Sequence, residues 1–196
     1  GRFVDSTNTD SISVGQTVNY SINTDSAATL PTYEYISCDW EGVEAFHAVY
    51  ARATAIGTLS VSTTRYCPLF GYPASAAFFV TQADTRHDIN LPCVMSGAQL
   101  RIPAGGNGLT GNATIALQNN GSDTSITITV GGGLDGLFEN TSATATFAAN
   151  DDADWRFTAA KGGTSLTASL VSCLITPIGR VKILGKTTVL GGTTIL

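Results

Sequence analysis

Short runs in which aliphatic or β-branched residues alternate with small polar residues recur along the chain, and they constrain its fold more than any other feature. In Ser125–Val130, the side chains of Ile126 and Ile128 would lie on one face of a strand, and those of Thr127 and Thr129 on the other. This alternation is typical of a half-buried strand in an antiparallel sheet. Turns rich in Gly and Asn, which tolerate the positive φ of tight hairpins, separate the runs.

The alternation predicts eight strands between residues 58 and 175. They are Thr58–Cys67, Ala77–Gln82, Gln99–Pro103, Ala113–Gln118, Ser125–Val130, Ala143–Ala148, Asp154–Ala159 and Ser165–Ile175. Ser11–Ile22 is a further strand candidate, while Trp40–Arg52 fits either a helix or a strand. Strands at this spacing predict an all-β fold, an antiparallel β-sandwich or jelly roll with extended N- and C-terminal arms.

The C-terminal flank carries a six-residue repeat of the form aliphatic–Leu–Gly–x–Thr–Thr, which begins at Ile183 and at Val189 and starts again at Ile195. Two copies are too few to bury a core of their own. We therefore expect an arm that adds strands to a partner subunit; a last strand with a frayed tail is the alternative. The predicted contact residues are Val181, Ile183, Leu184, Val189, Leu190, Ile195 and Leu196.

The chain divides by composition into three parts. We predict an N-terminal arm or small β region at residues 1–57, a jelly-roll domain at 58–178 and the hexapeptide-repeat arm at 179–196. There is no signal-peptide pattern, and no window approaches 18 uninterrupted apolar residues, so we expect no membrane insertion.

Charge is scarce. Charged residues make up 13% of the chain, whereas about 25% is usual for a soluble domain. With 10 Lys and Arg and a net charge of −5, the chain lacks the basic face that phosphate binding needs, so we expect no nucleic-acid partner.

The four cysteines, Cys38, Cys67, Cys93 and Cys173, are widely spaced and include no C-x-x-C pair, which argues against a structural zinc site. We expect most of them to be buried free thiols that pack as small hydrophobic residues. One or two disulfides are the alternative if the protein matures outside a reducing cytosol.

None of the residues with reactive side chains forms a convincing catalytic or metal site. His47 and His87 lack a nucleophile or further ligands, and we expect them at the surface or at an interface. Asn150–Asp154 lacks calcium-loop spacing and is interpreted as a solvated turn whose Asx side chains bond the backbone. Trp155, which shares its strand parity with Phe157, is expected in the core. We predict no catalytic residue, no metal and no cofactor.

Four segments resemble a known family. They are Arg65–Gly71, Leu100–Ile102 before a Gly/Asn turn, Gly111–Gln118 running into Asn119–Val130, and Phe147–Phe157. Through them, residues 58–176 resemble the compact trimeric jelly-roll domains of the tumour-necrosis-factor-like kind that occur widely in bacteriophage structural proteins. The resemblance implies a homotrimer and brings no catalytic residues with it.

From this resemblance we expect a non-enzymatic virion protein on the particle surface, a capsid decoration (cement) or head-fibre subunit that contacts other virion proteins such as the major capsid protein. The alternative on the same fold is a receptor- or glycan-binding tip that contacts host-surface glycans. A secreted glycan-acting enzyme is a third hypothesis. Its carboxylates would have to come from Glu34, Asp39, Glu41 and Glu44, because such enzymes need a pair of them in a groove.

Overall fold

A computed structural model describes residues 35–36, 39–42, 45–52, 54–71, 78–89, 91–178, 181–184 and 187–188, all within the compact unit Tyr33–Gly191. For the first two strands and the last two, the description is of the backbone. Strands dominate, and the single 3₁₀ turn at Gln82–Asp84 is the only helical element in these ranges. The all-β prediction is therefore confirmed. Ser11–Ile22 lies outside the described residues, and the division at residues 57 and 178 stays a prediction.

Sixteen strands are described. They are β1 (Tyr35–Ile36), β2 (Asp39–Gly42), β3 (Phe46–Ala51), β4 (Gly57–Ser60), β5 (Thr64–Cys67), β6 (His87–Ile89), β7 (Cys93–Ile102), β8 (Asn107–Leu109), β9 (Ala113–Asn119), β10 (Ser122–Val130), β11 (Gly136–Phe147), β12 (Asp151–Ala159), β13 (Gly163–Ala168), β14 (Leu170–Pro177), β15 (Val181–Leu184) and β16 (Thr187–Thr188).

Two large antiparallel sheets form a sandwich. The seven-stranded sheet has the order β10-β9-β12-β6-β15-β2, and β5 shares with β6 the edge of β12 that faces away from β9. The four-stranded sheet has the order β11-β7-β14-β3. Successive strands β3, β5/β6, β7, β9/β10, β11, β12 and β14 alternate between the two sheets, which is the strand order of a jelly roll. A three-stranded sheet, β4-β13-β8, and the pair β1-β16 complete the pairing.

The core lies between the two large sheets, and period-two alternation fills it from both sides. From the seven-stranded sheet, Ile115, Ile126 and Trp155 point inward, and all three are fully buried. From the four-stranded sheet, Met95 and Val171 meet them in one continuous cluster. The strands form where the apolar alternation predicts them because burying one face removes a row of apolar side chains from water.

The hairpin between β9 and β10 shows why Gly and Asn stand between the strands. Asn120 and Gly121 have φ of 50° and 81°, the left-handed conformation that a tight two-residue turn requires. Asn150, with φ of 70°, makes the turn between β11 and β12 in the same way. The sequence interpretation of these turns is confirmed.

Several predicted strands have different bounds in the structure. Thr58–Cys67 is two strands, β4 and β5, because the chain turns at Ser62, which has φ of 56°. Ser165–Ile175 is also divided, since β13 pairs with β4 and β8 whereas β14 pairs in the four-stranded sheet. Residues 40–52 contain β2 and β3 and no helix in their described part; in β3, Ala48 and Tyr50 are buried two residues apart, as in a strand.

The predicted strand Ala77–Gln82 is wrong in its described part, which begins at residue 78. Phe79 makes an isolated bridge with Tyr66, and the chain then enters the 3₁₀ turn. Phe78 packs its ring on Phe157 with centroids 4.5 Å apart, so this segment contributes an anchoring side chain instead of a ladder.

The expectation for the thiols is confirmed where the structure describes them. Cys67, Cys93 and Cys173 are free and buried, and Cys38 lies outside the described residues. In the described ranges no helix is long and apolar enough to cross a membrane.

Candidate functional site

The side chains of the four-stranded sheet that point away from the core form a surface that we call the outer face. The strand registers align these side chains in rows across β11, β7, β14 and β3. The rows are Leu137–Arg101–Leu170–Ala51, Glu139–Gln99–Ser172–Val49, Thr144–Ser96–Leu174–His47 and Thr146–Val94–Thr176.

Only His47, Arg101 and Glu139 carry ionisable groups on the outer face, and Glu139 accepts a hydrogen bond from Gln99 Nε2 at 2.7 Å. Large apolar residues are interspersed among Thr and Ser, and Leu137 is 54% exposed. Arg101 and Glu139 are two charged residues among fifteen, the same 13% as in the whole chain and about half of what is usual for a soluble domain. Such depletion of charge is the compositional signal of the buried centre of a protein interface. The outer face is therefore the candidate contact surface of the described chain.

Three of the predicted arm residues lie in a strand that pairs within the chain itself. Val181, Ile183 and Leu184 belong to β15, which pairs antiparallel with β2 and meets β6 through Ile183 and Ile89. The remaining four, Val189, Leu190, Ile195 and Leu196, lie outside the described residues. That these seven residues contact a partner subunit stays a prediction.

A second polar arrangement lies on the solvent side of the seven-stranded sheet. Gln118 of β9 and Asp154 of β12 point away from the core yet are 2% and 1% exposed, because residues 81–86 cover them. Gln82 Nε2 lies 2.5 Å from Gln118 Oε1 and 3.2 Å from Asp154 Oδ1. The Thr85 hydroxyl lies 3.0 Å from Asp154 Oδ2. A polar network thus fixes residues 81–86 to the sheet.

Charged groups surround this network at its rim. Arg86 donates to Gln82 Oε1 at 3.0 Å and to Asp152 Oδ2 at 3.5 Å. On the other side, Gln118 Nε2 donates to Asp123 Oδ1 at 2.9 Å, and Asp123 pairs with Arg156. Among the described residues no cation contacts Asp154 directly. Burial raises the pKa of Asp154 to about 6, although the hydrogen bonds from Thr85 and Gln82 oppose the rise.

The two histidines lie in different environments. His47 is exposed on β3, as expected. The expectation of a surface or interface position is wrong for His87, which is 1% exposed on β6, stacks on Phe70 and accepts the backbone N–H of Leu69 on Nδ1 at 3.2 Å. Its neighbour Asp88 points to the opposite side of the strand, which is exposed.

The acidic run Asn150–Asp154 is partly a turn. Asp151 Oδ2 accepts the backbone N–H of Ala148 at 2.7 Å, and the hydrogen bonds it receives there and from Asn119 and Asn120 lower its pKa. Asp154, by contrast, is a buried strand residue, so the interpretation as a solvated turn is wrong for it. No group of three or more His, Cys, Asp or Glu that could hold a metal ion occurs in the described part of the chain.

The Gly-rich loop between β10 and β11 is held by one buried side chain. Asn107 Nδ2 donates to the carbonyl oxygens of Gly131 and Leu134 at 2.9 and 2.8 Å, and its Oδ1 accepts the backbone N–H of Leu109.

Trp155 is fully buried, which confirms its predicted place in the core.

The sequence reasoning missed the network of Gln82, Gln118 and Asp154. Strand parity places Gln118 and Asp154 on the side opposite the apolar residues of β9 and β12, where they would ordinarily be solvated. Nothing local to either strand indicates the covering segment, which lies more than 30 residues away in sequence from Gln118.

The fold defines the chain as an antiparallel β-sandwich with jelly-roll strand order. No protein-family model matches the chain, and no curated protein matches its sequence.

Proposed function

We propose that this chain is a non-enzymatic structural protein of a virus particle. In this proposal it is a homotrimeric capsid decoration (cement) or head-fibre subunit on the particle surface, and its terminal segments contact neighbouring subunits such as the major capsid protein. The low-charge outer face of the four-stranded sheet is the observation that carries the proposal. Three of the fifteen side chains are ionisable and Ser172 is already buried, and the remaining surface suits burial against a second copy better than exposure to water.

The strand order supports the resemblance to the trimeric jelly rolls of phage structural proteins. One sheet has the order β11-β7-β14-β3, the other begins β10-β9-β12, and the chain alternates between them. In a single jelly roll, no described strand covers the outer face, and β11 is an edge strand with no described partner on its outer side. Closed association of identical copies is one way to cover such surfaces.

The ladder between β15 and β2 supports strand addition by the C-terminal repeat. Val181–Leu184 spans the beginning of the first repeat and forms four consecutive antiparallel pairs with β2. The second copy, which begins at Val189, has the same aliphatic–Leu–Gly pattern. An equivalent segment can add to an exposed sheet edge of a neighbour through backbone hydrogen bonds.

The test removes the second copy and keeps β15. A chain shortened by residues 189–196 should retain its circular dichroism spectrum, since the described strands remain. Its oligomer should dissociate at a higher protein concentration than that of the full chain. The matched control is the full-length double variant Thr193→Ser, Thr194→Ser, which keeps the apolar residues of the repeat. Unchanged dissociation and melting of the shortened chain would contradict the role of the arm, and absence of the protein from purified particles by mass spectrometry would contradict the virion assignment.

A further inference from the structure

Residues 81–86, which we call the 81–86 segment, are attached to the seven-stranded sheet by polar contacts. The 3₁₀ turn in the segment buries no residue, and Thr81, Ala83 and Asp84 are exposed. Thr85 is the exception at 2% exposure, and its hydroxyl meets the carboxylate of Asp154. Attachment of the segment therefore depends in part on this contact, together with those that Gln82 makes with Gln118 and Arg86 with Asp152.

When Asp154 is ionised, its negative charge is buried and is contacted by two neutral donors, the Thr85 hydroxyl and Gln82 Nε2. Thr85 Oγ1 lies 2.8 Å from the carbonyl oxygen of Gln82 and 3.0 Å from Asp154 Oδ2, and both distances are those of hydrogen bonds. A threonine hydroxyl has one hydrogen to donate, while the carbonyl and the ionised carboxylate can only accept. The hydroxyl can therefore serve only one of the two oxygens at a time. The Gln82 carbonyl also accepts the backbone N–H of Thr85 at 2.9 Å, so the unfavourable feature of the ionised state is a buried negative charge that no described cation contacts.

We propose that the 81–86 segment is a proton-dependent latch, which a proton on Asp154 Oδ2 holds closed against the sheet and which loosens when that proton is lost. With the proton in place, Asp154 donates to Thr85 Oγ1 and Thr85 donates to the carbonyl of Gln82. The other carboxyl oxygen, Oδ1, continues to accept from Gln82 Nε2 at 3.2 Å. Both contacts of the Thr85 hydroxyl then have a hydrogen, and no negative charge is buried at Asp154.

Other charged or titratable groups lie around Asp154 on each neighbouring element. They are Arg86 of the segment, Asp152 and Arg156 of β12, Asp123 of β10, Asp88 and His87 of β6, and Cys67 of β5.

None of these groups neutralises Asp154 by direct contact. The charge of Arg86 favours the ionised form of Asp154 from a distance, but its guanidinium binds Gln82 and Asp152 instead. Asp152 adds negative charge, which opposes the ionisation of Asp154. His87 lies on the core side of β6, and burial raises the pKa of the Cys67 thiol, so that thiol stays neutral.

The sign of the proton dependence follows from the two environments of Asp154. In the closed latch the pKa of Asp154 is about 6, whereas a solvated carboxyl titrates near 3.8. The closed form therefore binds the proton more tightly than an open form in which water reaches the carboxyl, and acid favours closure. Closure is favoured about tenfold more at pH 5 than at pH 8, because each pH unit below the higher pKa adds about a factor of ten.

Hydrogen exchange of the full chain tests the latch without any substitution. The amides of Asp84 and Thr85, which bond to the carbonyls of Thr81 and Gln82, report whether the segment is ordered. After correction for the intrinsic pH dependence of exchange, their protection should be about tenfold higher at pH 5 than at pH 8. Equal protection at the two pH values, or lower protection at pH 5, would overturn the proposal.

The variant Asp154→Asn tests whether the pH dependence comes from the carboxyl group of Asp154. Its amide reproduces the protonated carboxyl, since Nδ2 can donate to Thr85 and Oδ1 can accept from Gln82. Protection in this variant should be high and equal at pH 5 and pH 8. Asp84→Asn is the control, because Asp84 is an exposed carboxylate of the same segment, and it should keep the wild-type pH dependence. Wild-type pH dependence in Asp154→Asn would assign the effect to another group and exclude the latch.

Discussion

The imidazole of His87 accepts a hydrogen bond from the backbone N–H of Leu69, with 3.2 Å between the two nitrogens, inside the packed core. The contact fixes the course of the chain after β5, because Leu69 is fully buried and its N–H has no access to water. His87 is thus a structural residue, and Nδ1 must be unprotonated to accept the bond.

Replacing His87 by Leu should lower the free energy of unfolding by about 1–3 kcal/mol, because the buried N–H of Leu69 loses its acceptor. Urea denaturation measures the change. His47→Gln, on the exposed side of β3, is the control and should stay within about 0.5 kcal/mol of the wild type. Equal effects of the two substitutions would show that the bond to Leu69 does not contribute.

Replacing Asn107 by Ala should destabilise the fold by about 2–4 kcal/mol, since two hydrogen bonds that hold the loop between β10 and β11 and one to the backbone of Leu109 disappear together. The measurement is again urea denaturation. Asn112→Ala is the matched control, because Asn112 is exposed. A loss below about 0.5 kcal/mol for the Asn107 variant would mean that the loop does not depend on this side chain.

Asp154→Asn should stabilise the protein at pH 8 and have little effect at pH 3, which is below the pKa of Asp154 in both the folded and the unfolded state. The pKa of Asp154 is raised from 3.8 to about 6 in the folded protein, so the folded state binds more protons than the unfolded state between these values. Stability linked to this group is therefore present in acid and is lost as pH rises through 6, by up to about 3 kcal/mol. Denaturation of both proteins across this pH range checks the sign, and a less stable variant at pH 8 would contradict it.

The buried thiols should resist alkylation in the native protein. Burial raises the pKa of Cys93 to about 11 and raises that of Cys173 further, so neither forms the reactive thiolate near neutral pH. Peptide mapping after iodoacetamide treatment at pH 8 should find Cys67, Cys93 and Cys173 unmodified, and all three modified in guanidinium. Rapid labelling of the native protein would show that the core opens readily.

The strands were predictable because one local signal, apolar alternation, decides both their existence and their buried face. Ile126 and Ile128 illustrate this, and the alternation of Ala48, Val49 and Tyr50 would have favoured a strand over a helix at β3. Strand bounds were less predictable, because Ser62 and Ser169 interrupt runs whose composition does not change there.

The polar network could not be predicted, because it depends on tertiary contacts. The alternation of residues along β12 predicts that Asp154 points away from the core, where it would be solvated. It is buried because the 81–86 segment covers it. The burial of His87 could not be predicted for the same reason. Its burial comes from the chain after β5, through contacts with Leu69 and Phe70.

Self-association through the outer face predicts a charge-sensitive oligomer. Leu174→Asp introduces a carboxylate between Ser96 of β7 and His47 of β3, in the middle of the outer face. The substitution should convert the oligomer to monomers while the sandwich stays folded. Thr129→Asp is the control, since Thr129 is exposed on β10 of the other sheet. Dissociation by both substitutions, or by neither, would count against the outer face as the contact surface.

Light scattering of the purified chain during size-exclusion chromatography tests trimer formation most directly. Each chain has a mass of 20.3 kDa, and the expected result is a particle of three times that mass that persists at micromolar concentration. A stable monomer of 20.3 kDa throughout that range would contradict the proposed trimer and remove the physical basis for a role in particle assembly.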